Sequence, residues 1–161
     1  MNRNLIQTLE VMGERANQLT HGTLNMGGCC VYASLLGRKL QEKGIYVRGV
    51  GAGDVFSSNL NVQRLRRNVS RATLLSDWEE GCDLHHFGLR LGTGQRAKLY
   101  DSAGFYSPTS RWLHGEEIIP GTFSIPELEA LASNPHNWNH RFDRGHIPKL
   151  KQLIDNMLEE T

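Results

Sequence analysis

The chain has 161 residues, 39% of them hydrophobic, with 18 basic against 17 acidic side chains. That suffices to bury one core and is too little for two, so a single domain over residues 1–161 is expected. The near-neutral balance excludes a whole-surface field aimed at nucleic acid or an anionic membrane.

Met1 to Thr20 interleaves Arg3, Glu10, Glu14 and Arg15 with its apolar positions, which leaves neither a signal-peptide core nor a membrane span. A cytoplasmic protein, or one delivered into a host cell, is the expectation. Leu5, Ile6, Leu9, Met12, Ala16 and Leu19 recur at steps of three and four, a helical stripe that runs up to Thr20-His21-Gly22-Thr23. From Cys29 to Lys43, Val31, Ala33, Leu35, Leu36 and Leu40 fit a second helix, and Gly44 supplies its stop. Ile45 to Gly51 alternates as a strand does, with Gly49, Gly51 and Gly53 leaving its far end open to bulges or close backbone approach. Ser57 to Asp77 is polar, carries Arg64, Arg66, Arg67 and Arg71, and reads as an insertion between core elements. Without interleaved aromatic residues those arginines read as a solvated face.

Leu84 to Leu91 is strand-like, Gly92-Thr93-Gly94-Gln95 has hairpin-turn composition, and Ala97 to Asp101 returns as the partner strand. This hairpin brings His85 or His86 and Asp101 to one end of two paired strands. Beyond it lie a short apolar run at Ile118-Ile119, a helix from Ile125 to Ala132 after Ser124, and a last helix from Pro148 to Glu159. Proline suits that first turn, where its missing N–H is not needed. The fold class expected is α+β, with N-terminal helices packed on an antiparallel sheet.

Gly27-Gly28-Cys29-Cys30 sets a glycine turn and a thiol in front of the second helix. Unpaired N–H groups and the positive end of the dipole there favour thiolate over thiol, which is how proteins build a cysteine nucleophile. Three cysteines, two of them adjacent, do not make a disulfide framework. A histidine from His85-His86 and the carboxylate of Asp101 follow in order. His85 shares its strand face with Phe87, Leu89 and Leu91; His86 abuts the aromatic residue and sits with Gly88 and Arg90. His85 is the preferred base, because its face is the one expected to pack against the cysteine helix, and His86 is the alternative.

The run from Gly27-Gly28-Cys29 through Ala33, Leu36 and Leu40 to Gly44-Ile45 and Arg48-Gly49-Val50 resembles the core of the transglutaminase-like superfamily. There a G-x-C opens a helix that ends in a G-I-x-x-R strand, and an H-x-aromatic strand and a strand ending in Asp follow. Here those are His85-His86-Phe87 and Tyr100-Asp101. Arylamine acetyltransferases, of the same papain-like group, show a comparable G-G-x-C and D-x-G-F; this chain has Asp101-Ser102-Ala103-Gly104-Phe105, one residue longer. The resemblance spans Gly27 to Gly104. It implies a papain-like or transglutaminase-like fold and a cysteine-dependent acyl-transfer enzyme, a peptidase or amidase or else an acyltransferase. Cys29 would be its nucleophile, His85 or His86 its base and Asp101 the group that orients the imidazole. The Cys29 N–H and a side chain of the preceding loop, Asn25 or His21, would serve the oxyanion. Protein, peptide or small acyl or amide substrates are implied.

No cofactor and no metal are expected. Cys29, Cys30, Cys82, His85 and His86 are residue types that suit zinc, but they lack paired C-x-x-C hooks. His136, His140 and His146 lie in a Pro- and Asn-rich stretch that reads as a solvated loop, and Trp78, Trp112 and Trp138 read mostly as core. The alternative to an enzyme is a binding or regulatory protein that kept the fold and lost catalysis.

Overall fold

The computed structural model describes residues 3–55, 82–119, 121–133 and 142–161. The arginine-rich insertion, Trp78, His136, Trp138 and His140 fall outside them. Helix α1 (Arg3–Leu19) and helix α2 (Cys29–Glu42) follow the two apolar stripes, joined through a short 3-10 turn at Leu24–Met26. Four antiparallel strands come next: β1 (Val47–Val55), β2 (Cys82–Leu91), β3 (Lys98–Asp101) and β4 (Gly104–Tyr106), hydrogen-bonded in chain order. A two-stranded ribbon, β5 (Trp112–Leu113) and β6 (Glu116–Glu117), precedes helices α3 (Ile125–Ser133) and α4 (Ile147–Glu159). Helices packed on an antiparallel sheet make this an α+β architecture.

One buried cluster joins Leu5, Leu9 and Met12 of α1 with Leu36 and Leu40 of α2, Phe87, Leu89 and Leu91 of β2, Leu128 of α3 and Leu150, Ile154 and Leu158 of α4. Alternation in β2 explains why its odd positions belong to it: successive side chains leave a strand on opposite faces. Ser124 starts α3 with a reciprocal cap, its N–H donating to Glu127 Oε2 at 2.6 Å while the Glu127 N–H donates to Ser124 Oγ at 3.3 Å. Pro148 sits in the first turn of α4 as its missing N–H allows.

The opposite face of the sheet carries a smaller cluster of Val50, Ala52, Leu99 and Leu113. The ribbon supplies its cover. After β6 the chain runs back along β1, where the Ile119 N–H donates to the Gly51 carbonyl at 2.9 Å and Gly49 and Phe123 exchange two bonds at 2.8 Å. That anchorage tips the ribbon over β2, and the approach is close because position 88 is glycine. A Cβ there would lie 2.7 Å from the Tyr100 carbonyl oxygen and 2.9 Å from a Leu113 methyl.

Gly88→Ala should therefore push the ribbon off the sheet and cost about 1–3 kcal/mol. Urea unfolding measures it, and an unchanged midpoint with an unchanged slope would refute the close-packed ribbon.

Candidate functional site

Three side chains from separate elements meet at the end of the sheet beneath the ribbon. His86 comes from β2. The β1–β2 register pairs Ala52 with His86 and Gly53 with Leu84, so the pairing skips His85, and the irregularity sits immediately beside the site. Because directly opposed residues share a face, His86 stands with Ala52 on the ribbon side of the sheet. Asp101 ends β3, the next strand, and its carboxylate reaches His86 diagonally: His86 Nε2 lies 2.8 Å from Asp101 Oδ2.

The turn that follows Asp101 is tied down from several sides. Asp101 Oδ1 accepts from the Ala103 N–H at 2.8 Å, which closes an Asx turn. Asn17 of α1 donates to the Ser102 carbonyl at 3.1 Å, and Ser102 Oγ donates to Asn25 Oδ1 at 2.8 Å. Tyr106 of β4 gives its hydroxyl to Asp101 Oδ2 at 3.3 Å. The carboxylate thus has partners on both oxygens while only 3% of the residue is exposed.

His114 completes the group. Register pairs Leu113 with Glu116, so the ribbon turns through two residues, His114 and Gly115, at φ 52° and 83°. Both are left-handed, as a type I′ hairpin turn requires. This turn lays the His114 ring on His86, centroids 4.7 Å apart and planes 22° from parallel, with Nδ1 4.0 Å from Asp101 Oδ2. Its side chain is 40% exposed, whereas His86 is buried at 2%.

Burial alone would lower the pKa of His86, but the hydrogen bonds to Asp101 and Cys29 and their charges outweigh it, and His86 is pushed up to about 9. The histidine and the aspartate are therefore a buried ion pair at neutral pH.

Of the residues expected from sequence, the structure joins His86 and Asp101 and leaves His85 at the skipped register step. Asn25 arrives next to Asp101, but as an acceptor from Ser102. His21 faces His146 edge-on at 5.8 Å. Cys29 meets His86 through a side-chain hydrogen bond, and both cysteines at the start of α2 are inside, Cys29 at 2% and Cys30 at 0% exposure. Burial pushes the Cys30 thiol well up, the Cys29 charge adds to this, and its Sγ points to the Leu128 carbonyl at 3.6 Å. Cys30 is a packing residue.

These placements correct the thiol-enzyme expectation. Among the described residues the compact group is His86, Asp101 and His114, whose ligand-type atoms all lie within 4.8 Å of one another, and it contains no cysteine. A nucleophile must be reached by a carbonyl, and the Cys29 sulfur lies under protein. The second imidazole, rather than a thiol, takes the open side of the pair. Cysteine-dependent acyl transfer, with the hydrolase, thiol-protease, acyltransferase and catalytic-triad roles that go with it, does not describe this arrangement, and neither does a papain-like or transglutaminase-like assignment resting on that mechanism. No protein-family model matches the chain, no curated protein matches it, and no solved structure does.

His114 is the member that sequence reasoning missed. The signal was His114-Gly115 between Trp112-Leu113 and Glu116-Glu117-Ile118, a weak form of the x-Gly hairpin pattern. A separate cleft of about 530 Å³, lined by Leu5, Lys43, Tyr46, Leu91 and Arg96 among others, shares no residue with the site.

Burial of both thiols at the head of α2 sets an expectation for reactivity. Iodoacetamide should modify Cys29 and Cys30 in the native protein about 100-fold more slowly than in denaturant, because buried thiols are inert. Peptide mapping by mass reads each position. Native labelling of Cys29 as fast as in denaturant would contradict its burial.

Proposed function

We propose that the chain is a non-catalytic binding or regulatory protein, and that it recognises its partner with the ribbon side of the sheet. The observation that carries this reading is the exposed tip of the ribbon above a buried ion pair. Trp112 is 56% exposed, a large apolar side chain in water. Beside it His114 presents an imidazole, and Arg111 projects with its side chain 83% exposed. Tryptophan and arginine are the residue types that dominate binding energy when a partner desolvates them. Beneath them, Asp101 has its oxygens engaged and Cys29 is covered, so the same place offers a rigid support and no reachable nucleophile. A protein or peptide partner suits this surface. Among the described residues, no helix is long and apolar enough to cross a membrane.

Replacing Thr109, exposed two residues before Arg111, with the photo-crosslinking residue benzoylphenylalanine in cells that make the chain tests the reading. A discrete adduct should form, persist in Cys29→Ala, and disappear in Trp112→Ala, whose stability should change by no more than about 0.5 kcal/mol because the side chain is exposed. Loss of the adduct in a Cys29→Ala protein of unchanged melting temperature would return the function to the thiol and refute recognition by the ribbon.

A further inference from the structure

We propose that His86, Asp101 and His114 form a binding site for a divalent first-row metal ion, with Zn²⁺ the ion their chemistry suits best. Two imidazoles and one carboxylate are the nitrogen and oxygen donors that zinc takes in three-ligand sites with a fourth position left open. The spacing is close to what coordination needs. Ligands bound to one zinc ion at about 2.0–2.2 Å stand roughly 3–4 Å from each other. His86 Nε2 and Asp101 Oδ2 are 2.8 Å apart, and His114 Nδ1 is 4.0 Å from the same oxygen. All three ligand-type atoms fall within 4.8 Å of one another, so the adjustment required is in the exposed His114, which would turn out of its stack on His86 to aim a ring nitrogen at the ion. The ion would replace the proton that now bridges Nε2 and Oδ2.

The surroundings are those of a supported site rather than of side chains that happen to be near. Asp101 Oδ1 keeps its bond from the Ala103 N–H and Oδ2 its contact with the Tyr106 hydroxyl, which fix the carboxylate as partners behind a ligand do. His86 has the Cys29 side chain as a second hydrogen-bonding partner, which orients the ring. Two ligands are buried and come from neighbouring strands, whereas the third comes from a tight two-residue turn at the surface. The fourth position therefore opens beside His114, toward water. This inference goes beyond recognition by the ribbon and does not require it.

The test is calorimetric titration of Zn²⁺ into the full chain, stripped with chelator and kept reduced, for wild type, His114→Asn and Trp112→Ala. Asparagine is chosen because it accepts the left-handed backbone that His114 occupies, so the turn survives while the imidazole is lost. Wild type and Trp112→Ala should each bind one Zn²⁺ per chain with equal affinity. His114→Asn should bind about 100-fold more weakly or worse, while circular dichroism shows the same folded spectrum. Equal behaviour of wild type and His114→Asn overturns the site, whether neither binds zinc or both bind it through the thiols. Trp112→Ala keeps the two proposals apart. It removes a recognising side chain and no ligand, so failure of the crosslink there leaves the zinc result standing, and failure of zinc binding leaves the crosslink standing.

Discussion

The structure turns on a buried ion pair between neighbouring strands, His86 on β2 and Asp101 at the end of β3. Taking two charges out of water costs several kcal/mol each, and their attraction repays this only when the remaining hydrogen-bonding capacity is also used. Here it is used. The carboxylate holds His86, the Tyr106 hydroxyl and the Ala103 N–H. Removing one partner would strand the other as an uncompensated buried charge, a loss of about 3–5 kcal/mol.

Much of the local architecture serves that pair. Asn17 of α1 and Asn25 of the following turn both hold Ser102, so the N-terminal helical layer sets the position of the residue next to Asp101. The regular pairing from Val47 with Leu91 to Ala52 with His86 sets His86 on the ribbon face, and the irregularity begins just beyond it. The ribbon approaches closely only because residue 88 lacks a side chain, and its left-handed turn delivers a second imidazole to the exposed side. Charge, packing and turn chemistry converge on one end of the sheet.

The helices were legible in the sequence because their apolar spacing and terminal residues agree. The stripe from Leu5 to Leu19 became α1, the run after Gly28 became α2, and Ser124 and Pro148 marked the starts of α3 and α4 to within a residue. The β2–β3 hairpin was equally readable from alternation on either side of a glycine-rich turn. His86 against His85 was not, because alternation puts the two on opposite faces of the sheet and only the packing, with Asp101 and the ribbon on the face of His86, decides which face holds the site. The ribbon escaped because strands of two residues have no period to detect, and with it went His114 and the composition of the site. The cysteine motif misled for a physical reason: a thiol at a helix start reads the same in sequence whether the fold opens it to solvent or, as here, covers it.

The most direct measurement is the titration of the His86 ring by heteronuclear NMR in metal-free buffer, with unfolding free energy followed over the same range. The folded value, about 9, stands above the ordinary 6.5. The stabilisation from protonating His86 is thus fully present below about pH 6.5 and is lost as pH rises through about 9, a loss on the order of 3 kcal/mol. The ring should be charged at neutral pH, titrate near 9, and titrate lower in Asp101→Asn, where Cys29 remains as its other hydrogen-bonding partner. A ring that is neutral at pH 7, with stability flat between about pH 6.5 and 9, would contradict the buried ion pair and the site built on it.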